Sequence, residues 1–128
     1  MSHRILIVED DAGVRGLLRE ILRRHGYEVE TAGGLEEAYE LLRNRSYSLV
    51  FTDLRLGGGG GLEGFDLLRQ IRRISPVTRT VILTGGADLD MEKQALDQRA
   101  DAFLCKPVGM REIGAVAAQL LGTAPLIA

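Results

Sequence analysis

Five short apolar runs, each followed by a stretch whose apolar residues recur at helical spacing, constrain this chain more than any other feature. Ile5-Leu6-Ile7-Val8 is unbroken and largely β-branched, as expected of a strand buried on both faces. Val14, Leu17, Leu18, Ile21 and Leu22 then recur at i, i+3, i+4, i+7 and i+8, which predicts one inward helix face. Asp11 can cap the start of that helix and Gly26 can end it. The alternation continues with a strand over 27–31 and a helix over 35–45 whose Leu35, Ala38, Leu41 and Leu42 point inward. Leu49-Val50-Phe51-Thr52 predicts the third strand, and 64–74 a helix burying Leu67, Leu68 and Ile71, stopped by Pro76. Val81-Ile82-Leu83 is the fourth strand, followed by a helix over 88–98 with a poor stripe of Met91, Ala95 and Leu96. Ala102-Phe103-Leu104-Cys105 is the fifth, and 109–121 the last helix, with Ile113, Val116, Ala117, Leu120 and Leu121 inward.

Strands alternating with helices imply a parallel sheet covered on both faces. Closure into a barrel needs about eight such units. The expected fold is therefore α/β, a flavodoxin-like (βα)5 doubly wound sheet of five parallel strands in the order 2-1-3-4-5. The chain of 128 residues is one domain long and can bury a core without staples. In open sheets of this kind a site forms beyond the carboxyl ends of the strands.

Composition narrows the function classes. The net charge of -2 gives no bulk attraction for nucleic acid, and the absence of Trp leaves few stacking platforms. No run approaches the ~20 apolar residues of a membrane span. Met1-Ser2-His3-Arg4 and the short run after it do not form a secretory signal. A single cysteine, Cys105, excludes an internal disulfide and a cysteine-clustered zinc site. A reducing, cytoplasmic location is expected.

The strand ends carry the chemistry. The first strand runs into Glu9-Asp10-Asp11, the third into Asp53, the fourth into Thr84 and the fifth into Lys106-Pro107. The predicted strand order brings these groups to one rim. Clustered carboxylates repel, and a hard divalent cation relieves that repulsion. Mg²⁺ favours one or two carboxylates, waters and a phosphate oxygen. A lysine and a hydroxyl add donors for a phosphoryl group, and a carboxylate can itself be the nucleophile. The set reads as an Mg²⁺-dependent phosphoryl-acceptor site with Asp53 as acceptor.

On these four stretches the chain resembles a response-regulator receiver domain of two-component signalling. The match covers Arg4 to about Leu121 through Ile5-Leu6-Ile7-Val8-Glu9-Asp10-Asp11, Leu49-Val50-Phe51-Thr52-Asp53-Leu54, Val81-Ile82-Leu83-Thr84-Gly85 and Ala102-Phe103-Leu104-Cys105-Lys106-Pro107. The resemblance implies that Asp53 is the phospho-acceptor, and that Asp10 binds Mg²⁺ directly and Glu9 through water. It makes the backbone carbonyl of Arg55 the third protein ligand of the metal. It makes Thr84 and Phe103 a switch pair, Lys106 the partner of the phosphoryl group, and Lys106-Pro107 a cis peptide. It further implies a sensor histidine kinase or phosphotransfer protein as donor. An output protein or fused output domain would be the target, through the surface of the fourth helix, fifth strand and fifth helix. It allows a phosphorylation-dependent homodimer. Residues 1–122 would form the receiver domain and 123–128 a tail or the start of a linker. The domain would assist its own phosphorylation and dephosphorylation without being a turnover enzyme. Gly57-Gly58-Gly59-Gly60-Gly61 departs from the family, making the loop after Asp53 about three residues longer.

Plainer readings stand beside several residues. Asp11 fits a helix cap better than a ligand. Cys105 reads as a small buried hydrophobe. His3 reads as exposed, and His25 as a charge facing a helix C-terminus. Arg23-Arg24 and Arg72-Arg73 read as solvated helix faces. The glycine run is not a P-loop, since no Gly-Lys-Ser/Thr follows it. Three other functions compete: a receiver-like interaction module that is never phosphorylated, an aspartyl-nucleophile phosphatase, and a flavin mononucleotide binder. The intact acidic set argues against the first. Arg55, where the phosphatase type wants a second Asp, argues against the second. The charge of Glu9-Asp10-Asp11 argues against the third.

Overall fold

Residues 3–56, 63–85 and 89–123 are described by the computed structural model, at 89–92 through the backbone only. Among these residues strands and helices alternate: β1 (Arg4–Val8), α1 (Ala12–Arg24), β2 (Glu28–Ala32), α2 (Leu35–Asn44), β3 (Leu49–Asp53), α3 (Glu63–Ile74), β4 (Arg79–Thr84), α4 (Leu89–Asp97), β5 (Ala102–Cys105) and α5 (Met110–Leu121). The five strands form one parallel sheet in the order β2-β1-β3-β4-β5.

Successive strand side chains point to opposite faces, and that period divides the core in two. Ile5, Ile7, Leu49, Phe51, Val81 and Leu83 face α1 and α5, meeting Leu18, Ile21, Leu22, Ile113 and Ala117. Leu6, Val8 and Val50 face the other way and meet Ala38 of α2 and Leu67 and Ile71 of α3. On that same side Ile82 packs with Leu54, Phe65, Leu68, Ala95 and Ala100, and Phe103 leans against this group. Asp11 caps α1 as expected, its Oδ1 accepting from the N–H groups of Gly13 and Val14 at 2.9 and 3.0 Å.

Five expectations about single residues fail. Leu17 is 55% exposed. One residue along a helix turns about 100°; Leu17 therefore falls off the margin of a stripe centred on Leu18 and Ile21. Leu96 of α4 is likewise 54% exposed, leaving Ala95 as the buried contact. Cys105 is exposed, because β5 is an edge strand and Cys105 is its last residue. His3 is half-buried, its Nδ1 lying 3.1 Å from Ser48 Oγ.

Arg72 is no solvated face. Its guanidinium donates to the carbonyls of Pro76, Thr78 and Arg99, to Thr80 Oγ1 at 3.0 Å and to Asp101 Oδ2 at 3.2 Å. Asp101 Oδ2 also accepts from the N–H of Thr80 at 2.8 Å. The cluster ties α3 to the starts of β4 and β5, at the end of the sheet opposite the acidic rim. His25 does sit at the C-terminus of α1, and its ring also stacks on Tyr27 at 6.4 Å between centroids.

Candidate functional site

Parallel strands of matched register end level with one another, so the residues just past them share a rim. Val8 lies beside Thr52, Asp53 beside Leu83 and Thr84 beside Cys105. Glu9 follows β1, Asp53 ends β3, Thr84 ends β4 and Lys106 follows β5. One oxygen from each of Glu9, Asp10 and Asp53 lies within 4.8 Å of the others. Three hard oxygen donors this close fit a divalent cation, which removes their mutual repulsion. Glu9 and Asp53 are buried while Asp10 is exposed, so Asp10 marks the solvent side of the cluster.

Lys106 supplies the local countercharge. Its Nζ donates to Asp53 Oδ2 at 2.9 Å and to Glu9 Oε1 at 2.5 Å. The second Glu9 oxygen accepts from the N–H of Asp11 at 3.3 Å. Both oxygens of Glu9 are therefore engaged by protein donors. Burial pushes the Glu9 carboxyl above the ordinary carboxylate range; the bonds from Lys106 and Asp11 pull it down, while Asp53 and Asp10 add to the rise. For Lys106 burial opposes the charge, but the bonds to Glu9 and Asp53, and their charges, outweigh it and raise the pKa. Lys106 is joined to Pro107 by a cis peptide. Its backbone N–H donates to the carbonyl of Thr84 at 2.7 Å, tying the ends of β4 and β5 together.

Thr84 is buried at the rim, 2% exposed. Phe103 is half-buried against Ile82 and its neighbours. The N–H of Arg55 donates to Asp53 Oδ1 at 3.3 Å, so the chain curls back over the carboxylate as it leaves β3. Asp11 spends a carboxylate oxygen on the helix cap and stands outside the cluster. The glycine run at 57–61 lies outside the described residues.

Three contributors do not appear among the residues singled out in the sequence. Arg15 donates from Nη1 to the carbonyl of Glu9 at 2.8 Å, pinning the acidic turn from below. A signal existed: a cation near a helix start opposes the dipole, and α1 has no acidic residue in its first turn to balance it. Gly64 sits where a methyl group would lie 2.6 Å from the Asp53 carbonyl oxygen. Glu63 Oε2 accepts from the N–H of Leu56 at 3.2 Å, tying the start of α3 to the residues that follow β3. No local pattern announced either of these.

Among the described residues no helix is long and apolar enough to cross a membrane. The family profile of the response regulator receiver domain matches residues 5–118. The alginate biosynthesis transcriptional regulatory protein AlgB of Pseudomonas aeruginosa is 35% identical over 125 residues, which cover 98% of this chain and 27% of AlgB. The chain thus spans about a quarter of the length of the first curated relatives it matches. A CheY-like receiver domain protein from Methanospirillum hungatei superposes with a TM-score of 0.88 at 30% identity, over 95% of each chain. A response regulator from Burkholderia pseudomallei, solved with a phosphorylated aspartic acid and a calcium ion, gives 0.81 at 28% identity over 93% of this chain and 66% of that one. With its 2-1-3-4-5 sheet and an acidic cluster at the carboxyl rim, this chain belongs to the receiver domain family of two-component response regulators.

Proposed function

We propose that this domain is a phosphorylation switch in which Asp53 takes a phosphoryl group from a phosphohistidine of a sensor kinase or phosphotransfer protein. The observation that carries the reading is Lys106 Nζ bridging Asp53 and Glu9 at 2.9 and 2.5 Å inside the carboxylate cluster. A carboxylate so placed is held in one orientation, with a cation ready for the charge it will gain.

Mg²⁺ would be held by Glu9, Asp10, Asp53 and the backbone carbonyl of Arg55, and would neutralise charge on the phosphoryl oxygens. Asp53 attacks phosphorus as the P–N bond of the donor breaks, and the imidazole leaves with the electron pair. Lys106 keeps its contact with the acceptor side chain and pairs with a phosphoryl oxygen. Thr84, at the end of β4, turns its hydroxyl toward another, a charge-assisted bond available only in the phosphorylated state. Phe103 moves into the space Thr84 leaves, and no polar group is stranded because its ring carries none. The exposed surface of α4, β5 and α5 changes with it and is read by an output protein or domain or by a second copy of the chain. Phosphorylation selects one of two populations through these contacts. The domain assists its own phosphorylation and hydrolysis.

The test is intact-mass spectrometry after incubation with Mg²⁺ and a small phosphoryl donor. One acid-stable, base-labile phosphate is expected, lost on omitting Mg²⁺ and in D53N. The same adduct in D53N would overturn the assignment.

A further inference from the structure

The segment after Asp53 is braced at its neck. The carbonyl of Leu54 accepts from the N–H of Gly64 at 2.9 Å. The N–H of Leu56 donates to Glu63 Oε2 at 3.2 Å. Glu63 is the first residue of α3 and half-buried. Between these braces lies Arg55, whose own N–H donates to Asp53 Oδ1. The two amide N–H groups flanking the Arg55 Cα and carbonyl are each tied to a carboxylate, one in the acidic cluster and one on α3.

The Arg55–Leu56 peptide is planar and trans, as only Lys106–Pro107 is cis among the described residues. In such a peptide the C=O and the following N–H point in opposite directions. Whatever holds the N–H of Leu56 therefore sets the direction of the Arg55 carbonyl. Donation from that N–H to a charged acceptor also polarises the amide and enriches its oxygen, as chains of hydrogen bonds do.

We propose that Glu63 is a positioning residue for the metal: by holding the Leu56 N–H it aims the Arg55 carbonyl as a ligand and strengthens it as a donor. This rests on the reading that Glu9, Asp10, Asp53 and that carbonyl hold a divalent cation. Both braces lie in residues 54–56 and 63–64, on either side of the glycine run, so the aim of the carbonyl is set outside it. A carboxylate in the first turn of a helix has a simpler use as a partner of the dipole. That role would change stability and leave metal affinity alone.

The two are separated by titrating Mg²⁺ into the full chain by calorimetry, with E63Q and E63A alongside, and by melting each protein without metal. E63A should bind Mg²⁺ about tenfold more weakly, as loss of an outer-shell partner does, with a metal-free melting temperature close to the parent's. E63Q should fall between the two and nearer the parent, because its side-chain oxygen still accepts from Leu56 but carries no charge. Parent-like Mg²⁺ binding by E63A would overturn the proposal. So would an E63Q loss equal to that of E63A, which would make the effect one of charge alone, or an E63A chain unfolded without metal. Absence of Mg²⁺ binding by the parent chain would overturn the metal site itself, a failure distinguishable from all of these.

Discussion

Gly64 lies so close to Asp53 that a side chain there would strike backbone: a methyl group would stand 2.6 Å from the Asp53 carbonyl oxygen and 2.8 Å from Leu54 Cα. Backbone at the end of a central strand cannot swing aside as a side-chain tip can. G64A should therefore cost about 1–3 kcal/mol, the range for overpacking a tight site. It should also move the Asp53 amide resonance and weaken Mg²⁺ binding. Urea denaturation and an amide spectrum check both; an unchanged spectrum would mean that the close approach does not position Asp53.

Gly114 offers the contrast. A methyl there would meet the ring of His25, which is a side chain and can turn. G114A should cost less than G64A, about 1 kcal/mol, mainly through loss of the His25 stack on Tyr27. Adding H25A should remove most of that cost. A double-mutant cycle in urea measures the coupling, and additive effects would show that α1 and α5 do not meet through this pair.

Arg72 is predicted to be a stability residue with no part in the site. R72M leaves Asp101 with the N–H of Thr80 and the exposed Arg79, and strips the carbonyls of Thr78 and Arg99 of their donor. Loss of charged hydrogen bonds in a largely buried cluster should cost about 2 kcal/mol or more. The cluster is at the far end of the sheet, so Mg²⁺ affinity at fixed folding should not change. Urea midpoints and metal titration separate the two effects.

Lys106 makes stability depend on pH in the alkaline range. Its pKa in the fold is raised above 10.5, since the bonds to Glu9 and Asp53 outweigh burial. A lysine with a higher pKa folded than unfolded adds stability that is complete below its unfolded value and is lost as pH rises through the folded one. The gap in urea midpoint between the parent and K106M should hold steady to about pH 10 and close above it. A gap that persists undiminished beyond the folded pKa would mean that the ion pairs contribute nothing net.

Much of the site could be read from the chain because strand period and strand ends are local properties. The apolar runs before Glu9, Asp53, Thr84 and Lys106 fix both the strand and the end at which each residue emerges, and a parallel sheet then gathers them. The alternation of strand and helix implies a parallel sheet, and five such units fit the flavodoxin-like order that the sheet adopts. What the sequence could not state were relations across distance. Cys105 reads as core until the sheet order makes β5 an edge, and Leu17 reads as inward until packing picks out the narrower stripe of Leu18, Ile21 and Leu22. Arg72 finds Asp101 only after β4 and β5 are paired, and His25 finds Gly114 only after α5 returns beside α1. Glu63 and Gly64 show no pattern in the chain that points to Leu56 or Asp53. Composition and periodicity report how a residue meets its own element; which polar group it meets on another is decided by register and packing, and those exist only in the folded chain.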